Sequence, residues 1–465
     1  MIQLTGIDIF LIIVYFLSVI YVGFRAIKKT NTSTDDFLLA GRSLTLPIFV
    51  MTLVSTWYGG ILGVGEFSYK YGISNWFVQG LPYYFFAAIF AFFLAKKIRE
   101  SNLFTIPDKL HLTYDKRTAI FGAILTFILM TPAPYVLMLS VFLQLLFKWN
   151  IFISLLVTAT VAVSYLYWGG FRSDIYTDIL EFFLMFIGFA IIIPFCVINY
   201  GGFEFLEKNL PTLHLTWHGG NSFQFILVWF FIALWTLVDP AFYQRCYAAK
   251  DPNTAQKGIL ISIVFWFIFD AMTAFAGLYS RAIITDLENP VMAYPMLAEN
   301  VLPPIAKGLF YIGMLATIMS TLNTLALVSA QTLGRDLVSR SKNFISEKDS
   351  VIWTKIGLIL SFIFSVFIAL IIPSVIKIWY TIGTIVIPGL LIPLIAGYFK
   401  NLRIDAKYAF FCMSFSFLVA LFWLIGSFLF LGPNRYFLNI EPMLPGLLTS
   451  VVIWFIGRFN YVRKL

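Results

Sequence analysis

Charge is what this sequence has least of. Charged residues make up 12% of its 465 positions and apolar residues 60%, against roughly 25% and 45–50% in a soluble globular domain. Too few charged side chains remain to cover a water-facing surface, so most of the surface faces lipid. Cysteine is scarce as well. Cys196, Cys246 and Cys412 are odd in number, lie in or beside apolar runs and show no disulfide or metal-ligand spacing. The three histidines, His111, His214 and His218, fall outside the apolar runs, which argues against a haem or zinc site at membrane depth. No HExxH and no nucleophile elbow occurs in those runs, so an intramembrane enzyme has no chemistry to use. The net charge of +9 does not point to nucleic acid, because Lys and Arg sit in short clusters between apolar runs. That is the pattern of cytoplasmic loops.

What the chain does have is aromatic and aliphatic bulk, with Phe at 51 positions. A helix needs about 20 apolar residues to cross the hydrocarbon core. By that measure the sequence predicts thirteen spans, near 7–24, 47–69, 75–95, 119–147, 151–168, 175–198, 222–245, 257–280, 305–334, 352–372, 374–399, 407–431 and 440–457. No basic stretch precedes the first span, whereas Arg25, Lys28 and Lys29 follow it. This is the reverse of a secretory signal and places the N-terminus outside. Of the 32 basic residues, all but Lys70, Lys148, Lys208, Arg281, Lys307, Lys377 and Arg435 then fall on the cytoplasmic side. A missed or invented span in the middle would scramble that asymmetry. The C-terminus is accordingly expected inside. No separate soluble domain is visible; the outer connections 199–221 and 281–304 have room for short surface helices, and 101–116 is expected along the inner interface.

Two spans read as broken. The second carries Ser55-Thr56-Trp57-Tyr58-Gly59-Gly60, and the seventh carries Trp235-Thr236-Leu237-Val238-Asp239-Pro240. Free backbone polar groups at membrane depth persist only where they line a cavity. The breaks open two groups of five spans, and matched interruptions of this kind mark a transporter's binding site. The plainer alternative is that Gly and Pro only kink membrane helices. Four carboxylates, Glu66, Asp178, Asp239 and Asp270, fall in or at the breaks of apolar spans. An acid at that depth costs about 2.5–3.5 kcal/mol or more unless compensated. Arg245, Arg281 and Lys377 lie near span ends, and no basic residue occupies a span centre. The acids are therefore expected to be protonated, exposed to water in a cavity, or balanced by a cation that is not part of the chain. The ninth span also holds Ser320-Thr321 in mid-helix. Adjacent hydroxyls can share a hard ion with carbonyls freed at a helix break, although membrane helices also use such pairs for packing.

Four stretches in this order, Asp36 to Ser43, Tyr167 to Asp178, Gln244 to Ala255 and Met319 to Leu337, together resemble the sodium:solute symporter family. Asp36-Phe37-Leu38-Leu39-Ala40-Gly41-Arg42-Ser43 is similar to the family's phrase between its first two helices. Tyr167-Trp168-Gly169-Gly170-Phe171 followed by Thr177-Asp178 is similar to its Gly-Gly…Thr-Asp signature. Gln244-Arg245 and then Ala255 resemble the loop after the broken seventh helix, and Met319-Ser320-Thr321 lands ahead of Arg335-Asp336-Leu337. The resemblance implies an all-α membrane fold of about thirteen helices. Its inverted five-helix-repeat core would occupy 46–400, with an extra helix and loop at 1–45 and two extra helices at 401–465. It also implies a sodium site built from carbonyls of Ser55, Tyr58 and Thr317 and the hydroxyls of Ser320 and Thr321. Asp178 falls on the family's acid for releasing sodium to the cytoplasm. Glu181 stands where the family often has Gln. Thr56-Trp57-Tyr58-Gly59-Gly60 and Ile378-Trp379-Tyr380 look most like the choline branch, but that branch's aromatic beside the seventh-helix proline is missing here.

The expected function is sodium-coupled import of a small organic solute by alternating access, in a plasma membrane of the bacterial inner-membrane type. Sodium is the only cofactor expected, and lipid and the solute are the partners; no nucleic acid is, and the oligomeric state is open. A proton-coupled or uncoupled carrier is the alternative, ahead of a channel. Thr56, Trp57, Gly60, Trp235, Asp239 and Asp270 are the expected solute contacts. Tryptophan faces hold ammonium groups by cation–π attraction, so a cation or zwitterion is favoured over a sugar or a carboxylate.

Overall fold

The computed structural model describes residues 2–28, 33–340, 347–372, 374–432 and 435–463; Lys29 lies outside them. These residues form helices joined by short connections, with a single isolated backbone bridge between Leu44 and Ala249. Among the described residues eleven helices are long and apolar enough to cross a membrane, or twelve when a bent pair is counted as one more. The expected thirteen is not reached by that criterion, because Ile151–Tyr200 runs 50 residues as one helix. At 1.5 Å per residue it measures about 75 Å, more than twice the hydrocarbon thickness. Within it Gly170 leaves helical geometry at φ 54° and ψ −143°. A side chain there would also bring its Cβ to 2.4 Å from the Phe37 carbonyl oxygen. A count of thirteen depends on taking Gly170 as the boundary of two spans.

The helix Ala306–Gln331 sits at the centre and is buried along nearly its whole length. It crosses the long helix where Gly188 meets Gly313, each backbone so close that a Cβ would lie 2.8–2.9 Å from the other's Cα. Small residues let two backbones approach in this way without any hydrophobic drive from lipid. By contrast, Ala406–Leu431 and Met443–Val462 present Phe422, Leu429, Phe430 and Phe455 outward. The connections 199–221 and 281–304 carry short helices at Phe203–Asn209, which is mostly exposed, and at Ala293–Val301, which is mostly buried and so is not the surface helix expected there.

On the side expected to be cytoplasmic, three of the sequence phrases meet. Asp36 pairs with Arg172. The Leu44 amide donates to the Ala248 carbonyl at 3.1 Å, and the Lys250 amide donates to the Leu44 carbonyl at 2.9 Å. The helix Ile106–Thr113 carries Asp108, which accepts from Arg335 at 2.9 Å and Arg340 at 2.5 Å. Burial pushes the Asp108 carboxyl up, but the two guanidinium groups overcome it and hold the carboxyl below its usual range. These contacts tie the foot of the central helix to the helix Ile106–Thr113.

Candidate functional site

The second span is broken where the sequence places the break. Leu46–Trp57 and Ile61–Tyr71 meet at a bend of 58°, and Tyr58, at φ −94° and ψ 11°, ends the first half. Glycine is required here by proximity. A Cβ on Gly59 would lie 2.3 Å from the Thr321 Cβ, and one on Gly60 would lie 2.1 Å from the Trp379 ring. The Thr321 hydroxyl accepts from the Gly59 amide at 2.8 Å and donates to the Thr56 carbonyl at 2.5 Å. It also reaches the Thr317 carbonyl at 3.5 Å. One central-helix hydroxyl therefore serves backbone groups that the break would otherwise orphan. Ser320 donates to Asp178 Oδ1 at 2.6 Å. The Ser55 hydroxyl is turned back on the Met51 carbonyl at 2.9 Å, and the Tyr58 hydroxyl donates to the Trp266 carbonyl. Both hydroxyls are thus engaged by backbone carbonyls of the protein itself.

The seventh span breaks by different chemistry. Asp239 is extended at φ −72° and ψ 110°, and Pro240 starts the helix Pro240–Ala248. Proline at that position lacks only an amide hydrogen that the helix start could not use. Asp239 caps the helix by accepting the Ala241 amide at 2.7 Å through Oδ1. That helix is buried throughout, so Arg245 lies fully inside the protein.

Arg245 corrects the expectation that the deep acids lack a basic partner in the chain. Its Nη2 lies 3.1 Å from Asp178 Oδ2 and 3.7 Å from Asp174 Oδ2. The same nitrogen donates to Thr56 Oγ1 at 2.5 Å and to Thr324 Oγ1 at 2.9 Å. Glu66 is likewise accounted for, by Lys70 one turn on at 2.5 Å, and it does not line the cavity described next. Asp174 was missed in the sequence reading, although four residues before Asp178 it shares a helix face with it. Glu181 continues that face and accepts from Tyr15 at 3.2 Å.

Between the breaks lies a cavity of about 140 Å³. Thr56, Trp57, Gly60, Trp235, Asp239 and Asp270 all line it, as do Tyr58 and Thr321. Tyr83, Tyr135, Trp229, Phe242 and Trp379 complete an aromatic wall. Trp57 packs on Tyr83, Phe242 and Trp266 with ring centroids 5.0–5.5 Å apart, so it is a packing residue and a wall residue together. Asp270 accepts from Tyr84. A π-helical segment, Trp76–Gly80, turns Asn75 and Gln79 to the same space. Asn75 Oδ1 and Gln79 Nε2 are buried there without a hydrogen-bond partner. No lysine, arginine or histidine is among the lining residues. Two carboxylates, Asp239 and Asp270, thus share the cavity with a ring of aromatic faces.

Comparison with known proteins bears on the family and the fold. Residues 37–401 match the sodium:solute symporter family. The chain is 24% identical to the sodium/pantothenate symporter of Escherichia coli, covering 96% of this chain and 95% of that one. It is also 24% identical to solute carrier family 5 member 4 of Rattus norvegicus over 74% of its length. It spans only about three fifths of that longer relative, 59%. Among solved structures, a Na+-coupled sialic acid symporter in a substrate-bound outward-open state superposes with a TM-score of 0.80 at 16% identity, covering 98% of each chain. That likeness concerns the fold.

Proposed function

This chain belongs to the sodium:solute symporter family, and from that premise we propose that it couples sodium to the uptake of a small organic cation. The observation that carries the reading is that Thr56 and Thr321 belong to both halves of the site. They face the solute cavity, and they also join the second-span break to the central helix, with 2.5 Å between the Thr321 hydroxyl and the Thr56 carbonyl. Sodium held by the carbonyls of Ser55, Tyr58 and Thr317 and the hydroxyls of Ser320 and Thr321 would fix the break in place. Fixing it sets Trp57 and Thr56 against the solute. A solute bound there stabilises the same geometry in return, and reciprocal stabilisation is what coupling means. Asp178, which accepts from Ser320, is the group to which a departing sodium would pass on its way to the cytoplasm.

The solute class follows from the cavity's chemistry. Asp239 and Asp270 repel an anion, no basic side chain lines the cavity to receive a carboxylate, and the tryptophan faces attract an ammonium group. A quaternary or primary amine is therefore favoured, then a zwitterion, over a sugar or a carboxylate. The proposed setting is a plasma membrane with the N-terminus outside and the C-terminus inside. Residues 1–45 and 401–465 would flank a core at 46–400. The test is uptake into proteoliposomes under a sodium gradient, with choline, betaine, proline, glucose and pantothenate as competitors. Competition by a sugar or pantothenate while every ammonium compound fails would overturn the solute class. Asp270, held by Tyr84 and facing the cavity, favours a second reading in which a proton drives the carrier. Uptake driven by a pH gradient without sodium would establish it.

A further inference from the structure

Among the described residues two lysines are buried, Lys307 at 6% exposure and Lys109 at 8%. Lys307 is accounted for, since its ammonium donates to the Gln3 carbonyl at 2.6 Å and to Glu299 at 3.2 Å. Lys109, on the helix Ile106–Thr113, has nothing comparable. Its Nζ rests over the Tyr398 ring, 4.4 Å from the centroid, and makes no ion pair or hydrogen bond among the described residues. Lys97, at the inner end of the third span, sits the same way over Phe399 at 3.8 Å. An aromatic face supports an ammonium group but supplies no strong acceptor for its N–H bonds. A buried charge is normally paired, and Lys109 is not.

Both lysines line one open cavity of about 540 Å³ on the side expected to be cytoplasmic, together with Glu100, Tyr398, Phe399 and Lys400. Three cations therefore face one carboxylate, and Glu100 is exposed and pairs with none of them. Burial, and then the nearby charge of Arg403, push the Lys109 pKa down. Arg403 Nε is itself buried without a hydrogen-bond partner. The helix Val375–Tyr398 ends here, and its carbonyl end carries partial negative charge, but none of those carbonyls accepts from either lysine. Unpaired positive charge held in place on two rings complements an oxyanion with several acceptor oxygens. Phe93, 58% exposed and about one turn before Lys97, brings lipid-facing surface up to the same place. We infer that this cavity binds a phosphate group, carried by the headgroup of an anionic lipid or free as inorganic phosphate. Bound there, it would bridge the inner end of the third span, the helix Ile106–Thr113 and the foot of the helix Val375–Tyr398. The Tyr398 hydroxyl lies 3.1 Å from that of Tyr247, so the bridge reaches the inner half of the broken seventh span. The cavity shares no lining residue with the one between the breaks.

The test needs no transport and so stands apart from the symport reading. The full chain is purified in neutral detergent until free of native phospholipid. Its melting temperature is followed as short-chain phosphatidylglycerol, potassium phosphate, or potassium chloride at matched ionic strength is added. A ligand that binds only the folded state stabilises it by mass action, so a saturable rise is expected with phosphatidylglycerol or phosphate and not with chloride. A rise with the lipid alone assigns the site to a headgroup, a rise with phosphate alone assigns it to the free anion, and a rise with both shows that the phosphate group suffices. Lys97→Gln and Lys109→Gln are each expected to raise the half-saturating concentration about tenfold, the effect of removing one charged contact. Lys109→Arg keeps the charge and is expected to stay near the parent. A parent with no saturable rise beyond that in chloride overturns the inference before any variant is made. An unchanged half-saturation in Lys97→Gln, where the side chain is exposed and the fold does not depend on it, overturns it as well.

Discussion

The two broken helices solve the same problem in opposite ways. At the second-span break the exposed backbone is served from outside, by the Thr321 hydroxyl on the central helix. At the seventh-span break it is served from within, by Asp239 capping its own helix through Oδ1. The first solution requires a near-contact approach of two helices and therefore glycine. The second requires only local chemistry, an acid followed by proline. One break is consequently sensitive to the distance between helices and suits a device that an ion tightens. The other is self-sufficient and keeps a carboxylate beside the cavity. In the proposed mechanism the second-span break would hold the ion while facing the solute, and the seventh-span break would serve the solute alone.

The sharpest way to break that comparison is Gly59→Val. A side chain there would begin 2.3 Å from the Thr321 Cβ, and a displacement near 1 Å at a working site costs about a hundredfold. Sodium-driven uptake is expected to fall by at least that factor while the protein still inserts and elutes as the parent does. Near-normal uptake would remove the distance argument. Next come Ser320→Ala and Thr321→Ala. Losing one oxygen contact to a charged group is worth about 1.5–3 kcal/mol, or roughly ten- to a hundredfold in affinity. The sodium half-saturation should rise by that much, and solute half-saturation at saturating sodium should change little. Unchanged sodium dependence in both variants would move the ion elsewhere.

Asp239 gives a finer distinction. Asparagine is as good a helix cap as aspartate, so Asp239→Asn removes the charge and keeps the break. Affinity for a cationic solute is expected to fall about tenfold, equivalent to about 1.4 kcal/mol, with the sodium half-saturation in place. Asp239→Ala should in addition lose about 1 kcal/mol of stability with the cap, read as a lower melting temperature. If the two variants transport and melt alike, the capping argument fails. The smallest effect on affinity is expected from Asp178→Asn. Turnover should slow by about threefold while extracellular sodium affinity shifts less than in Ser320→Ala. A large affinity loss at normal turnover would place Asp178 in the tight site instead of on the exit path.

Much of this was legible before any fold. Membrane class, the two breaks and the cavity-lining residues from Thr56 to Asp270 all come from composition and from residues whose effect is local. Glycine and proline break helices wherever they stand, and apolar content adds up along a chain. Even the Glu66–Lys70 pair is an i, i+4 pattern that could have been read off the sequence. Arg245 was not legible. Hydropathy placed it near a span end, because a run of apolar residues fixes depth only to within a few residues and says nothing of rotation about the helix axis.

Tertiary packing decided three things that no local signal carries. It set Arg245 beside an acid 67 residues away in sequence. It brought Asn75 and Gln79 to the cavity through a π-helical segment that shifts the helix register. It also spent both central hydroxyls on specific partners, Asp178 and the Thr56–Gly59 backbone. The sequence by itself determined which groups lie at membrane depth, since burial of apolar surface depends on each residue's own chemistry. Only the tertiary structure decided which of those groups neutralise one another. Coulombic and hydrogen-bonded partnerships fall off within a few ångströms, and distances that short are fixed by how helices far apart in the chain are packed.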